Sequence, residues 1–361
     1  MTAPFLHASR RFSKLRSLHT QNFSPSHAMS LVVKRSKMAK IICTHSGSFH
    51  ADESLAVYML RLLPEFKDSS LVRLRSPEDW ERADIVVDVS GKYDGKKYFD
   101  HHQREFDTTF SPDYKTKLSS AGLVYKHFGK DIITQIVGPQ DEGNLEILYQ
   151  KVYKEFVEAL DANDNGINNY PKDTPAKFSE KNITLPLMVS KLNPRWNLEP
   201  TDADFDRQFE KALELMGLAF HQLVEGYGLG WLPARTIVEQ SFVQRFEIDP
   251  SGEIMILDQF CPWKEHLYSI EKDNNAEGQI KFVLFADSSG KWRVLTVSVT
   301  LTSFEFRLGL PQAWRGLRDE ALSDAAGIKD GIFVHAAGFI GGAQSRESVL
   351  VMAQKALEFR K

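Results

Sequence analysis

Asp84-Ile85-Val86-Val87-Asp88-Val89 is a run of β-branched apolar residues interrupted by a carboxylate near its end. A strand apolar at consecutive rather than alternate positions expects cover on both faces, as in a parallel sheet flanked by helices. The carboxylate of Asp88 is costly there unless it is paired. A short second run, Lys97-Tyr98-Phe99, then delivers Asp100-His101-His102-Gln103. Carboxylate and imidazole are the ligand types that suit manganese, zinc or iron. One such tripeptide cannot close a metal site, so the flanking sequence must supply the rest.

Upstream, residues 40–44 read as a buried strand that ends at His45. The loop 46–49 leads into a helix over about 51–63, closed by Pro64, and residues 71–74 form a further strand. Downstream, the pattern predicts a helix over 119–128 with Gly129 as its stop signal, and a long helix over 144–162 ended by Gly166. Strands alternating with helices imply an α/β fold with a doubly wound parallel sheet, assigned to residues 40–180. Residues 163–200 are rich in Pro, Asn and Lys and read as a connection. The remainder of 181–361 reads as a smaller α+β domain. It holds a long amphipathic helix (206–229), strands near 254–257, 280–285 and 293–299, a strand over 333–340, a Gly341-Gly342 turn and a closing helix (347–359). The active site is expected in the cleft between the two domains.

The chain has 361 residues and a formal net charge of −3, but the charge is unevenly spread. The first forty residues hold eight of the 45 Lys and Arg and none of the 48 acids, leaving the rest at −11. A body that acidic argues against a protein that coats nucleic acid non-specifically. It leaves room for local phosphate binding through metals and a few arginines. Two cysteines, Cys43 and Cys261, give no disulfide framework and no zinc spacing. No run approaches the ~18 apolar residues a membrane helix needs, so no membrane partner is expected. Residues 1–39 are Arg- and Ser-rich and free of acids, the composition of a mitochondrial transit peptide or of a disordered basic tail. Matrix localisation is therefore expected. A start at Met29 or Met38 would remove the presequence and leave a nuclear or cytosolic form, for which Lys34-Arg35-Ser36-Lys37 is a weak import signal.

The candidate ligands line up at strand ends. His45, His50 and Asp52 follow the first strand, Asp88 ends the third, and Asp100, His101 and His102 follow the next. In open parallel sheets ligands bind outside the carboxyl ends of the strands. Asp161, beside Leu160, borders the buried face of its helix. Each residue has a plainer role available: Asp52 as a partner of the helix dipole, Asp161 as a cap or ion pair. Taken together, the carboxylates suffice for two divalent cations about 4 Å apart, the arrangement that clamps both oxygens of a phosphoryl transfer.

His45-Ser-Gly-Ser-Phe-His50-Ala-Asp52-Glu53, Asp88, Asp100-His101-His102 and Ala159-Leu-Asp161-Ala-Asn-Asp164-Asn165-Gly166 together resemble the four motifs of the DHH phosphoesterase superfamily. That superfamily includes RecJ-type exonucleases, manganese-dependent pyrophosphatases and oligoribonucleases. With Trp314-Arg315-Gly-Leu-Arg318-Asp319 and Gly338-Phe-Ile-Gly341-Gly342, the text is more similar still to its melanocyte-proliferating-gene-one branch, from about residue 40 to the end. The superfamily usually carries His-x3-Asp-x-Asp in the first motif; here His50 stands in place of the first Asp, one position later. The resemblance implies one metal on His45, His50 and Asp88, and a second on Asp52, Asp88, His101 and Asp161. It further implies that Asp100 orients a histidine and that His102 meets the substrate phosphate, giving Asp88, Asp100 and His102 catalytic roles.

Gly341 and Gly342 precede Ser345, a good N-cap, so the following helix start reads as an anion site. Arg346 in its first turn, with Arg315 and Arg318, completes the expected substrate-binding set. The function expected is divalent-metal-dependent phosphodiester hydrolysis, by resemblance 3′–5′ exonucleolysis of RNA. Two cations are implied, Mn²⁺ favoured and Mg²⁺ or Zn²⁺ allowed. Single-stranded RNA or short oligonucleotides are the expected partners, and a homo-oligomer is compatible. A small-phosphoester hydrolase or pyrophosphatase, and a non-catalytic metal-stabilised binding protein, are the alternatives.

Overall fold

The computed structural model describes residues 39–171, 173–175, 177–179 and 182–360. The presequence and alternative-start expectations for 1–38 lie outside them.

The first half begins with β1 (Ile41–Thr44), α1 (Ala51–Leu62), β2 (Ser70–Arg73), α2 (Pro77–Arg82), β3 (Ile85–Val87) and β4 (Tyr98–Phe99). These strands form one sheet in the order β2-β1-β3-β4, parallel at every pairing. Ile85, Val86 and Val87 are all buried, as the consecutive apolar run predicts. The helices α3 (Ser120–Val137), α4 (Glu142–Val152), α5 (Glu158–Asp164), α6 (Leu185–Ser190) and α7 (Asp202–Glu225) follow. A π turn at Tyr153–Val157 joins α4 to α5, so the expected long helix is present but interrupted.

The α3 helix does not stop at Gly129. It runs on to Val137 and ends at Gly138, whose φ of 81° is the left-handed value a helix terminus requires. Gly129 serves packing instead: a Cβ there would stand 2.8 Å from the Tyr149 ring and 3.0 Å from that of Tyr125. The expected end at Gly166 holds in a looser sense, since α5 closes at Asp164 and Gly166 has φ 68°.

The second half contains α8 (Ala234–Ile248), β5 (Ile254–Ile256), α9 (Lys264–Asp273), β6 (Phe282–Ala286), β7 (Trp292–Thr296), α10 (Asp319–Ala326), β8 (Gly331–Val334), β9 (Ile340–Ala343) and α11 (Arg346–Glu358). Its mixed sheet runs β5-β6-β7-β9-β8. The helices α8 and α9 are additions to the elements expected from sequence. The boundary also moves. Val189 of α6 and Phe209, Leu213, Met216 and Phe220 of α7 pack in the same core as the first sheet, and so does Leu232. The cores of the second half begin at Ala234. Residues 185–232 therefore belong with the first sheet rather than with the substrate half. The halves join through Lys151, whose Nζ lies 2.7 Å from Glu265 Oε2 and 4.5 Å from the centroid of the Trp231 ring.

Candidate metal centre

The carboxyl ends of β1, β3 and β4 deliver the site. His45 follows β1 and is buried; its Nε2 lies 3.1 Å from Glu53 Oε1 and 3.4 Å from Asp88 Oδ2. Glu53 is held in place as well, because its Oε1 accepts the backbone N–H of His50 at 2.7 Å at the start of α1. Acidic residues are favoured in that first turn. Asp88 adopts φ 56°, a left-handed backbone that Asp tolerates better than a branched residue and that often marks a functional position. From there its Oδ1 faces His101 Nε2 at 3.5 Å and His102 Nδ1 at 3.6 Å. His101 Nε2 also lies 3.0 Å from Asp164 Oδ2.

Three sets of side chains have ligand atoms within 4.8 Å of one another: His45, His50, Glu53 and Asp88; Asp88, Asp100, His101 and His102; and Asp52, His101 and Asp164. Asp88 is shared by the first two sets and His101 by the last two, so the groups form one continuous centre. Asp52 is buried, and its Oδ2 accepts from Ser120 Oγ at 2.8 Å. Its Oδ1, with Glu53 Oε2, Asp88 Oδ1 and His101 Nε2, is buried without a hydrogen-bond partner. Leaving such atoms unsatisfied costs roughly 1–3 kcal/mol each, more for a charged group. Oxygen and imidazole nitrogen converging with open valences fit a divalent cation; the buried thiol Cys43 is in none of the three sets.

The titration directions agree with that fit. Burial opposes charge on His45, but Asp88 and Glu53 outweigh it and raise the imidazole to about 9. For His101 burial is likewise overcome, by Asp164 and Asp88, and the ring rises to about 10. Burial would raise Asp88, yet the same two histidines pull it down to about 2. Asp52 is pushed well above the ordinary carboxyl range by burial and by the charges of Asp88, Asp164 and Glu53. Acids gathered this closely favour positive charge at the centre, and they raise the proton affinity of His45 and His101 for the same reason that they would favour a bound cation.

Asp100 Oδ1 accepts from His102 Nδ1 at 2.7 Å and from the backbone N–H of His101 at 2.7 Å and of His102 at 3.1 Å; its Oδ2 accepts from Gly91 N at 2.6 Å. It therefore orients the His102 ring, which is half exposed, and fixes the backbone of His101. The expectation for Asp161 is corrected. Its Oδ1 accepts from Ser119 N at 2.9 Å and Ser119 Oγ at 2.7 Å, and its Oδ2 from Tyr153 Oη at 3.0 Å. It lies outside all three sets. Asp164, one helical turn later, takes the position facing His101. Sequence reading assigned no role to Asp164, Glu53 or Arg75, although the first two stand inside the quoted motifs. Arg75 Nη2 lies 3.1 Å from His45 Nδ1 and donates to Ser46 O at 2.9 Å, placing a guanidinium against the centre.

The expected substrate residues of the second half are placed differently. Gly341 and Gly342 are not a turn; both are buried in β9, paired with β7 and β8. Their backbone is committed to the sheet, and the lack of side chains serves packing, since a Cβ on Gly342 would meet Trp292 O at 3.1 Å. Ser345 does cap α11, accepting from Ser348 N at 3.3 Å, with Arg346 exposed beside it. Arg315 Nε donates to Leu310 O at 3.0 Å, and Arg318 lies over the Phe333 ring at 5.9 Å. None of these five lines the cavity of about 380 Å³ beside the centre, which is bounded by His50, Asp52, Asn163, Asp164, Leu187 and Ser190 among others. The cavity lies between the strand-end loops and α5 on one side and Pro186, Leu187 and Ser190 of α6 on the other.

The family model MYG1_exonuc, described as an uncharacterised protein family (UPF0160), matches residues 41–357. A MYG1 protein of Saccharomyces cerevisiae is 57% identical over 336 residues, covering 92% of this chain and 99% of that one. The MYG1 exonuclease of Homo sapiens is 46% identical over 327 residues, covering 88% of this chain and 86% of its own length. A solved pGpG-specific phosphodiesterase aligns over 89% of this chain and 99% of that one at 13% identity and a TM-score of 0.27. A match across nearly the whole described body, with relatives at such identity, decides the matter: the chain belongs to the MYG1 family.

Proposed function

We propose that the protein is a divalent-metal-dependent phosphodiester hydrolase that shortens single-stranded RNA from its 3′ end, using two cations with manganese preferred. The observation that carries this reading is the buried centre in which Asp88 groups with His45, His50 and Glu53 on one side and with Asp100, His101 and His102 on the other, with Asp52 Oδ1, Glu53 Oε2 and Asp88 Oδ1 left without a hydrogen-bond partner. The exonuclease name carried by its human relative agrees with it. When bound, the cations supply Lewis acidity and a nucleophile near neutral pH.

The chain's own residues do the remainder. Asp88 sits between His45 and His101 and would be the carboxylate common to the groups that hold the cations. Glu53 and Asp164 face the same Nε2 atoms of His45 and His101 that Asp88 faces, so both carboxylates would stand on the cation side of those rings. His102 has its Nδ1 pinned by Asp100, which raises the imidazole and leaves Nε2 directed away from that bond. A histidine so held can donate a proton to the leaving oxygen as the ester breaks. Arg75 adds positive charge at the rim for a phosphate oxygen.

The test is direct. Purified protein with Mn²⁺ or Mg²⁺ is incubated with 5′-labelled single-stranded RNA, the same RNA blocked at its 3′ end, the matching DNA and short oligonucleotides. Stepwise shortening of the unblocked RNA only is expected; the reading fails if every substrate stays intact. We further propose mitochondrial import through residues 1–39. Fractionation of cells expressing the full chain and a chain starting at Met38 checks it, and matrix signal from the shortened chain would contradict it.

A further inference from the structure

A second cavity, of about 370 Å³, lies just beyond the C-terminal end of α6. The two cavities meet along the chain: Ser190 closes the lining of the first, and Lys191 opens that of the second. The second is lined by Lys191, Arg195 and Arg207, with Asp204 as its single acid. Asp204 is already taken, paired with Arg207. Among the described residues neither Lys191 nor Arg195 has a carboxylate partner; Lys191 Nζ donates to the side chain of Asn182 at 2.6 Å. On a body this acidic, a cavity with surplus cations is anomalous unless it receives an anion.

Two further observations point to the kind of anion. Trp196, next to Arg195, is 90% exposed and Leu198 62% exposed. An indole in open solvent beside a basic cavity is what a nucleobase stacks on. The loop is also fixed relative to the centre: Asn193 Nδ2 donates to Phe49 O at 2.9 Å, and Phe49 N donates to Asn193 Oδ1 at 3.0 Å. Phe49 immediately precedes His50, so the basic loop and the metal-binding loop are clamped to each other.

We infer that this cavity is a subsite for single-stranded nucleic acid, in which Lys191 and Arg195 hold backbone phosphates of the strand behind the scissile bond and Trp196 stacks on a base. The inference rests on the proposed phosphodiesterase reading and names where the rest of its substrate lies. Chain length beyond a dinucleotide is thereby recognised by the first half of the molecule.

Fluorescence anisotropy with a fluorescein-labelled ten-nucleotide RNA, in EDTA to prevent cleavage, tests it. The Lys191→Gln/Arg195→Gln variant should bind at least about tenfold more weakly and lower the slope of log affinity against log salt by about 1.4, the value for two single-strand phosphate contacts. Trp196→Ala should weaken binding by about tenfold without changing that slope. Melting curves of both variants, expected to match wild type, exclude misfolding as the cause. Unchanged affinity and slope in the double variant, or no binding of the RNA by wild type, overturns the subsite. Wild-type cleavage of a dinucleotide with Mn²⁺ reports on the centre separately: if it succeeds while the double variant still binds the RNA normally, the subsite falls and the phosphodiesterase reading stands.

Discussion

In the proposed centre Asp88 and Asp164 both face His101, while Asp161 is turned away from it into hydrogen bonds with Ser119 and Tyr153. Asp161 sits fully buried against α3, with three donors from Ser119 and Tyr153 on its carboxylate. Asp161→Ala strands those donors and should lower the unfolding free energy by about 3 kcal/mol, with cation affinity retained in the protein that folds. Asp164→Ala should do the reverse, leaving the denaturation midpoint near wild type and weakening cation binding by more than the roughly 10–100-fold lost when an outer partner is removed. Urea denaturation and calorimetric titration with Mn²⁺ separate the two; equal metal affinity in Asp164→Ala and wild type would sink the assignment. Sequence placed His45, His50, Asp52, Asp88 and His101 at strand ends because residue type and strand pattern are local. It named Asp161 and passed over Asp164, because both lie on one helix three residues apart and only the packing against α3 shows which carboxylate faces His101.

The elements show the same limit in their glycines. Gly138 and Gly166 sit at helix ends with positive φ and could be read as stops from local rules alone. Gly129, Gly341 and Gly342 look identical in sequence yet lie inside a helix and a strand. There the missing Cβ makes room for a neighbour that is distant in sequence, such as Tyr149 against Gly129. Gly129→Ala pushes on two tyrosine rings and should destabilise by about 1–3 kcal/mol, whereas a true helix interior free of such contact would gain from the substitution. Urea titration decides the sign. The parallel pairing of the first sheet was legible because β1 and β3 are consecutive apolar runs that alternate with helices, whereas the order β2-β1-β3-β4 has no local signal. The helix α8 was not, since its apolar residues keep no clear face and its core partners come from β5 and α9.

At the scale of the molecule, the first sheet shares one core with α1 and α3 to α7, and the sheet β5-β6-β7-β9-β8 forms the second part. Residues 163–200 have linker composition, yet Val189 among them packs in the core of the first sheet. Charge that accumulates in one centre makes cation binding a contribution to stability as well as to chemistry. A ligand that binds only the folded state stabilises by about 2.7 kcal/mol at a hundred times its dissociation constant. Mn²⁺ should therefore raise the melting temperature and EDTA should lower it, with Asp88→Ala insensitive to both. No helix among the described residues is long and apolar enough to cross a membrane. The most direct measurement is elemental analysis of purified wild type and Asp88→Ala, paired with cleavage of single-stranded RNA by the same preparations. Bound divalent metal and RNA shortening in wild type, both lost in Asp88→Ala, is the result predicted; an Asp88→Ala protein that keeps its metal and still cleaves RNA contradicts the account.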